Sequence, residues 1–216
     1  MLGNFLRLFF TVLLVMDPIG MIPQFLSVTA RYDLKTRKSI ILKAVLIAGL
    51  VLIVFLLAGK LLLEFFGIMP GAFYISGGIL FFMIAFGMIY SRPKIARIIP
   101  SAESAESGED TEDRGGVSVA LFPLAIPFIA GPGLLTVIIM FVSNGESWLS
   151  SVAILLPAII LSLVAAFVTL RCSALLLKFF GSMGIFIMEK IMGLILAGFA
   201  VQFIYDGLIA LGIIHP

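Results

Sequence analysis

The chain is 216 residues long and has almost none of the side chains that soft-metal and nucleophilic chemistry draws on. It contains one cysteine, Cys172, and one histidine, His215, which is next to last. A single cysteine excludes an intrachain disulfide and leaves the redox compartment unread. There is no cysteine or histidine cluster to hold a metal, and no Ser or Lys pair stands out as an intramembrane nucleophile and base. No metal, cofactor or enzymatic activity is therefore expected. Charge is scarce too: 12% of residues are charged against 62% hydrophobic, and the mean hydropathy is +1.24. Soluble domains carry roughly a quarter charged residues, so this composition predicts an integral membrane protein. The net charge of +2 points to no particular partner, and no nucleic acid is expected.

What the chain has in quantity is apolar runs. A span needs about 20 mainly apolar residues, and six stretches supply them: roughly 5–28, 40–59, 72–90, 117–142, 152–172 and 184–206. The first run continues past Asp17-Pro18 without a small-residue cleavage site, so it reads as a span rather than a signal peptide. The expectation is an all-α, multi-pass protein with six transmembrane helices. Arg31, Lys35, Arg37, Lys38, Lys43, Arg92, Lys94, Arg97, Arg114, Arg171 and Lys178 fall on one side of such an arrangement, and only Arg7 and Lys60 on the other. The positive-inside rule then places both termini outside.

Two of the runs are interrupted. Asp17-Pro18-Ile19-Gly20 and Gly131-Pro132-Gly133 each set a proline inside apolar sequence, which ends one helix and suits the first position of another. Asp17 is a good N-cap for a helix starting at Pro18, and Gly131 an acceptable one for a helix starting at Pro132. Helices 1 and 4 are thus expected to be discontinuous, while Pro123, Pro127 and Pro157 should kink spans four and five. Residues 29–43 read as a basic cytoplasmic loop. Residues 91–116 read as an acidic cytoplasmic linker, with Glu103, Glu106, Glu109, Asp110, Glu112 and Asp113 close together.

The two halves repeat. Leu61 to Gly67 is LLLEFFG and Leu175 to Gly181 is LLLKFFG, at the same offset of 114 that separates Pro18 from Pro132. One residue of slippage later, Gly78 aligns with Gly193 and Ile89-Tyr90 with Ile204-Tyr205. Three spans per unit force the second unit to enter the membrane the other way round. The reading is two inverted three-helix repeats, 1–90 and 117–216, joined by the linker. Inverted repeats with broken helices in matching positions point to a secondary transporter whose site lies near the midplane.

At such breaks the amides of the restarting helix lack intrahelical partners and carry partial positive charge, which suits a carboxylate. Asp17 is the only acid placed within a long apolar run near mid-depth. An ionised carboxylate there should face a cavity or partner, where it could receive an ammonium group, bind a coupling cation, take up a proton, or simply cap the second half-helix. Gln24 and Thr136 lie within reach of the breaks, although a threonine in a membrane helix often bonds its own i−4 carbonyl. Gly77 and Gly78 either serve close helix packing or border the site. Gln202 is a further candidate of undetermined direction. Glu189 and Lys190 read as a snorkelling pair near the cytoplasmic end of span six.

The segments DPIGMIPQFL (17–26), AFYISGGILFFMIAFGM (72–88) and FPLAIPFIAGPGLLT (122–136) resemble the signature segments of the MarC family, also called the small neutral amino acid transporter family. The resemblance extends over all six spans, with a linker longer and more acidic than the family pattern. It implies transport of glycine, alanine or similar amino acids, driven by an H+ or Na+ gradient, in a cell inner membrane. It also implies a substrate site at Asp17, Pro18, Ile19, Gly20, Gly131, Pro132, Gly133 and Thr136. Two rival expectations are an exporter or channel for small metabolites, and a membrane scaffold that transports nothing. The oligomeric state is not written in the sequence.

Overall fold

A computed structural model describes residues 2–30, 32–90, 120–144 and 147–215; the acidic linker and its basic flanks lie outside them. The described chain is helical: α1 (Leu2–Met16), α2 (Met21–Val28), α3 (Leu34–Phe65), α4 (Pro70–Tyr90), a π-helical stretch α5 (Ala120–Ile129), α6 (Pro132–Asn144), α7 (Trp148–Arg171) and α8 (Ser173–Ala210). By length and composition α3, α4, α7 and α8 can each cross a membrane. Phe5–Met16 and Met21–Val28 make a fifth candidate span, bent by 42°. Beyond these five, α6 is a shorter apolar helix, and the expected fourth run begins in residues that are not described.

Helix α3 starts well before the expected residue 40. Asp33, in extended conformation, accepts a hydrogen bond from the Thr36 amide at 3.2 Å and caps it. Hydrogen bonding from the Thr36 side chain first, and from its amide second, holds the Asp33 carboxyl below its ordinary value. Only residues 29–33 are then left of the expected basic loop, since Lys35 to Lys43 form the first turns of α3. Along α3, Ala44, Ala48, Leu52 and Leu56 recur every four residues and are fully buried. Leu46, Leu50, Val54 and Leu57 point outward, as a lipid-facing stripe requires. This central helix packs on α5, α6 and α7, while α1 packs on α7 and α4 on α8. Pro157 lies inside the single helix α7. Span six is longer than expected, its first two turns being joined to the rest across a kink at Gly181.

The repeated sequence places a positive-φ glycine at the same point of each half. Gly67 and Gly181 have φ +67° and +68°, in the left-handed region that only glycine enters freely. The phenylalanines before them pair edge-on alike, Phe65–Phe66 at 5.2 Å and 84° and Phe179–Phe180 at 5.0 Å and 84°. The α4–α8 crossing is also reciprocal. A methyl group on Gly78 would lie 2.8 Å from the Ala200 carbonyl oxygen and 2.7 Å from Ile204; one on Gly193 would lie 3.3 Å from the Ala85 carbonyl oxygen and 3.2 Å from Ile89. Gly78, Ala85 and Ile89 each stand 115 before their counterparts Gly193, Ala200 and Ile204. Exchanging the halves also turns the α1–α7 contact into the α5–α3 contact and leaves the α3–α7 and α4–α8 pairs unchanged.

Candidate functional site

The first interruption is a turn held by its own aspartate. The Asp17 amide still donates to the Leu13 and Leu14 carbonyls at 3.1 and 3.2 Å, closing α1. Its φ is +43°, the left-handed region that aspartate tolerates better than most residues, and the chain is redirected there. The Asp17 carboxylate then accepts from the Gly20 amide at 3.1 Å. Pro18 to Gly20 are therefore a turn, and the second half-helix begins at Met21 with Gly20 in the capping position. This corrects the expectation of a helix starting at Pro18: the left-handed backbone at Asp17 redirects the chain into a turn, and the helix restarts once Gly20 has returned to helical backbone (φ −63°, ψ −23°). The Met21 amide bonds back to the Asp17 carbonyl at 3.2 Å, so the gap in the ladder is short.

At the second interruption the restart falls where expected. Helix α6 begins at Pro132, and its first bond runs from the Leu135 amide to the Gly131 carbonyl at 3.1 Å. The Gly133 and Leu134 amides thus stand ahead of the ladder. Before the break, the Ala130 amide bonds to the Ala125 carbonyl, five residues back, at 2.9 Å. The turn is widened where Pro127 has no amide hydrogen to give. Neither span is a continuous α-helix, and α1 also packs against α6, so the two broken spans touch.

One face of α4 covers α6 in antiparallel register. The Tyr74 hydroxyl donates to the Met140 carbonyl at 3.3 Å, a methyl group on Gly77 would collide with the Thr136 side chain, and one on Gly133 would collide with the Phe81 ring. Gly77 is therefore brought to the second break, whereas Gly78 faces α8 and serves packing. The Thr136 hydroxyl donates to the Pro132 carbonyl at 2.9 Å, the local bond that threonine commonly makes in membrane helices. Gln24 lies on α2, where its side-chain oxygen is buried and has no hydrogen-bond partner among the described residues. Gln202 is exposed and donates to Asp206 at 2.7 Å, so it faces out of the bundle and does not join the buried breaks.

Of Glu189 and Lys190, the lysine has its contacts on two helices. The Lys190 ammonium donates to the Met88 carbonyl near the end of α4 and lies 4.4 Å over the Phe186 ring. Beside the first break, a cavity of about 280 Å³ is lined by Ile19 and Ile22 together with Thr169, Leu176, Phe180, Ile185 and Met188.

Phe81 was not a sequence candidate. The chain has 20 phenylalanines, and the only signal was that Phe81 lies one turn past Gly77 on the same helix face.

The sequence profile of the MarC family integral membrane proteins matches residues 2–211. The chain is similar to UPF0056 inner membrane protein YhgN of Escherichia coli K12, with 36% identity over 196 residues, 91% of each chain. It is also similar to UPF0056 membrane protein MJ1677 of Methanocaldococcus jannaschii, with 33% identity over 207 residues, 96% of this chain and 97% of the relative. A membrane protein of Buchnera aphidicola from Schizaphis graminum is 32% identical over 196 residues, 91% of each chain. No solved structure matches the chain.

Proposed function

The chain belongs to the MarC family of integral membrane proteins, and on that footing we propose that it is a secondary active transporter of small neutral amino acids. Glycine and alanine are the preferred substrates, and an ion gradient drives them, with H+ as the coupling ion ahead of Na+. The observation that carries the reading is the interruption of two spans in corresponding halves, at Asp17–Gly20 and Ala130–Pro132, within a buried region of the bundle. Backbone polar groups unpaired at membrane depth are tolerated where they line a cavity or meet a ligand. The carboxylate of the amino acid would meet the Gly133 and Leu134 amides, which carry the positive end of the α6 dipole. Its ammonium would meet Asp17 or the buried side-chain oxygen of Gln24, an acceptor that lacks a donor among the described residues.

Two inverted three-span repeats, with rocking of one against the other, would give alternating access to this site. The shared positive φ at Gly67 and Gly181 and the reciprocal α4–α8 contacts support that arrangement. The E. coli relative is an inner membrane protein by name, which supports placement in a cell inner membrane, and the distribution of basic residues favours both termini outside.

Purified full-length protein in proteoliposomes tests the reading. Labelled glycine and alanine should accumulate under an imposed H+ gradient, leucine should not, and collapsing the gradient should stop accumulation. Counterflow should be stimulated by unlabelled glycine on the far side, which a channel does not show. Absence of glycine and alanine uptake under both H+ and Na+ gradients overturns the assignment.

A further inference from the structure

We propose that Phe81 sets the size limit of the second break, acting as a plug that must move aside for a substrate to reach the amides at the start of α6. The inference rests on the transporter reading above and names a specificity-determining residue for it. The Phe81 ring is 1% exposed, and three of its ring carbons occupy the space where a Cβ on Gly133 would stand. Its edge therefore lies directly against the first turn of α6, beside the two amides that precede the helical ladder.

The ring is held from behind. Phe203 of α8 packs on it at 5.2 Å between centroids with a 55° tilt, and Phe203 in turn packs on Phe199 at 6.4 Å. Two contacts lower on the same α4 face, at Gly77 with Thr136 and Tyr74 with Met140, fix α4 against α6. With the helices seated in this way, room at Gly133 comes from rotation of the ring. A rotated ring vacates a limited volume, enough for a hydrogen or methyl side chain and too small for a branched one. A solute at Gly133 then competes with an aromatic side chain for space, so selection by size follows from steric exclusion rather than from any polar group.

The test uses the full chain in proteoliposomes, comparing wild type with Phe81→Ala and Phe81→Leu. The readout is labelled glycine uptake in competition with unlabelled alanine, valine and leucine. In wild type, valine and leucine should compete weakly. Phe81→Ala should strengthen their competition at least ten-fold relative to alanine, with Phe81→Leu between the two. Should Phe81→Ala fail to fold, Phe81→Leu decides, because it keeps most of the buried volume. Glycine uptake with an unchanged order of competition in the folded variants overturns the role of Phe81 and leaves the transporter reading standing. Absence of uptake by wild type overturns that reading, and this inference with it.

Discussion

Asp17 has two physical tasks that different substitutions separate. Its backbone sits at φ +43° and its carboxylate caps the Gly20 amide at 3.1 Å. Asparagine tolerates the same backbone and offers the same kind of acceptor without the charge. Asp17→Asn is therefore expected to insert and melt like wild type while losing at least ten-fold of glycine uptake. Asp17→Ala should lose the uptake and also the cap, destabilising the protein by about 1 kcal/mol. Melting in detergent beside uptake in proteoliposomes checks both, and full transport by Asp17→Asn would leave Asp17 with the cap alone. The candidacy of this residue was legible because a lone acid in an apolar run needs a partner or a cavity. Its backbone conformation was not: Pro18 fits the first position of a helix, and nothing in the local residue pattern announces a left-handed aspartate ahead of it. Phe81 was hidden for a different reason, since its role comes from the antiparallel seating of α4 on α6, a contact between residues 52 apart.

Among the elements, α2 is the least self-sufficient, with eight residues against the dozen or more that an isolated helix needs. It persists because both ends are tied. Asp17 holds the entry, and at the exit the Thr29 amide and hydroxyl bond to the Phe25 carbonyl at 3.0 and 2.6 Å. Arg37, one turn into α3, then donates to the carbonyls of Thr29, Tyr32 and Ala30 at 2.9, 3.0 and 3.1 Å. A guanidinium satisfies three such carbonyls because its donors form a rigid planar fork, which a lysine ammonium cannot reproduce. Arg37→Ala should destabilise the protein by about 2 kcal/mol, the range of a hydrogen bond to a charged group. Arg37→Lys should recover only part of that loss. Hydrogen exchange over residues 21–28, alongside thermal melting, would show whether the loosening is local to α2 as expected. The sequence concealed this clamp because the basic residues from Arg31 to Lys43 read as a solvated loop. The Asp33-x-x-Thr36 spacing did carry a capping signal within it. At α5 the prolines announced a disturbance, but whether they produce a kink or a wider turn depends on how the neighbouring carbonyls are satisfied.

For the whole molecule the decisive question is whether the related halves face opposite ways across the bilayer. The sequence displayed the relation through LLLEFFG and LLLKFFG, and matching left-handed glycines and matching aromatic pairs follow at both places. Packing between helices is the same whichever way the lipid lies, so direction has to be read from the membrane itself. Glu64 and Lys178 occupy corresponding positions, 114 apart, and both are exposed. Cys172 is the only cysteine, so Cys172→Ser gives a background in which one introduced thiol can be labelled alone. In intact cells, Glu64→Cys should react with a membrane-impermeant maleimide from outside. Lys178→Cys should react only after the membrane is permeabilised. Labelling of both from the same side would make the repeats parallel. Rocking of inverted halves about a midplane site would then no longer follow from the fold.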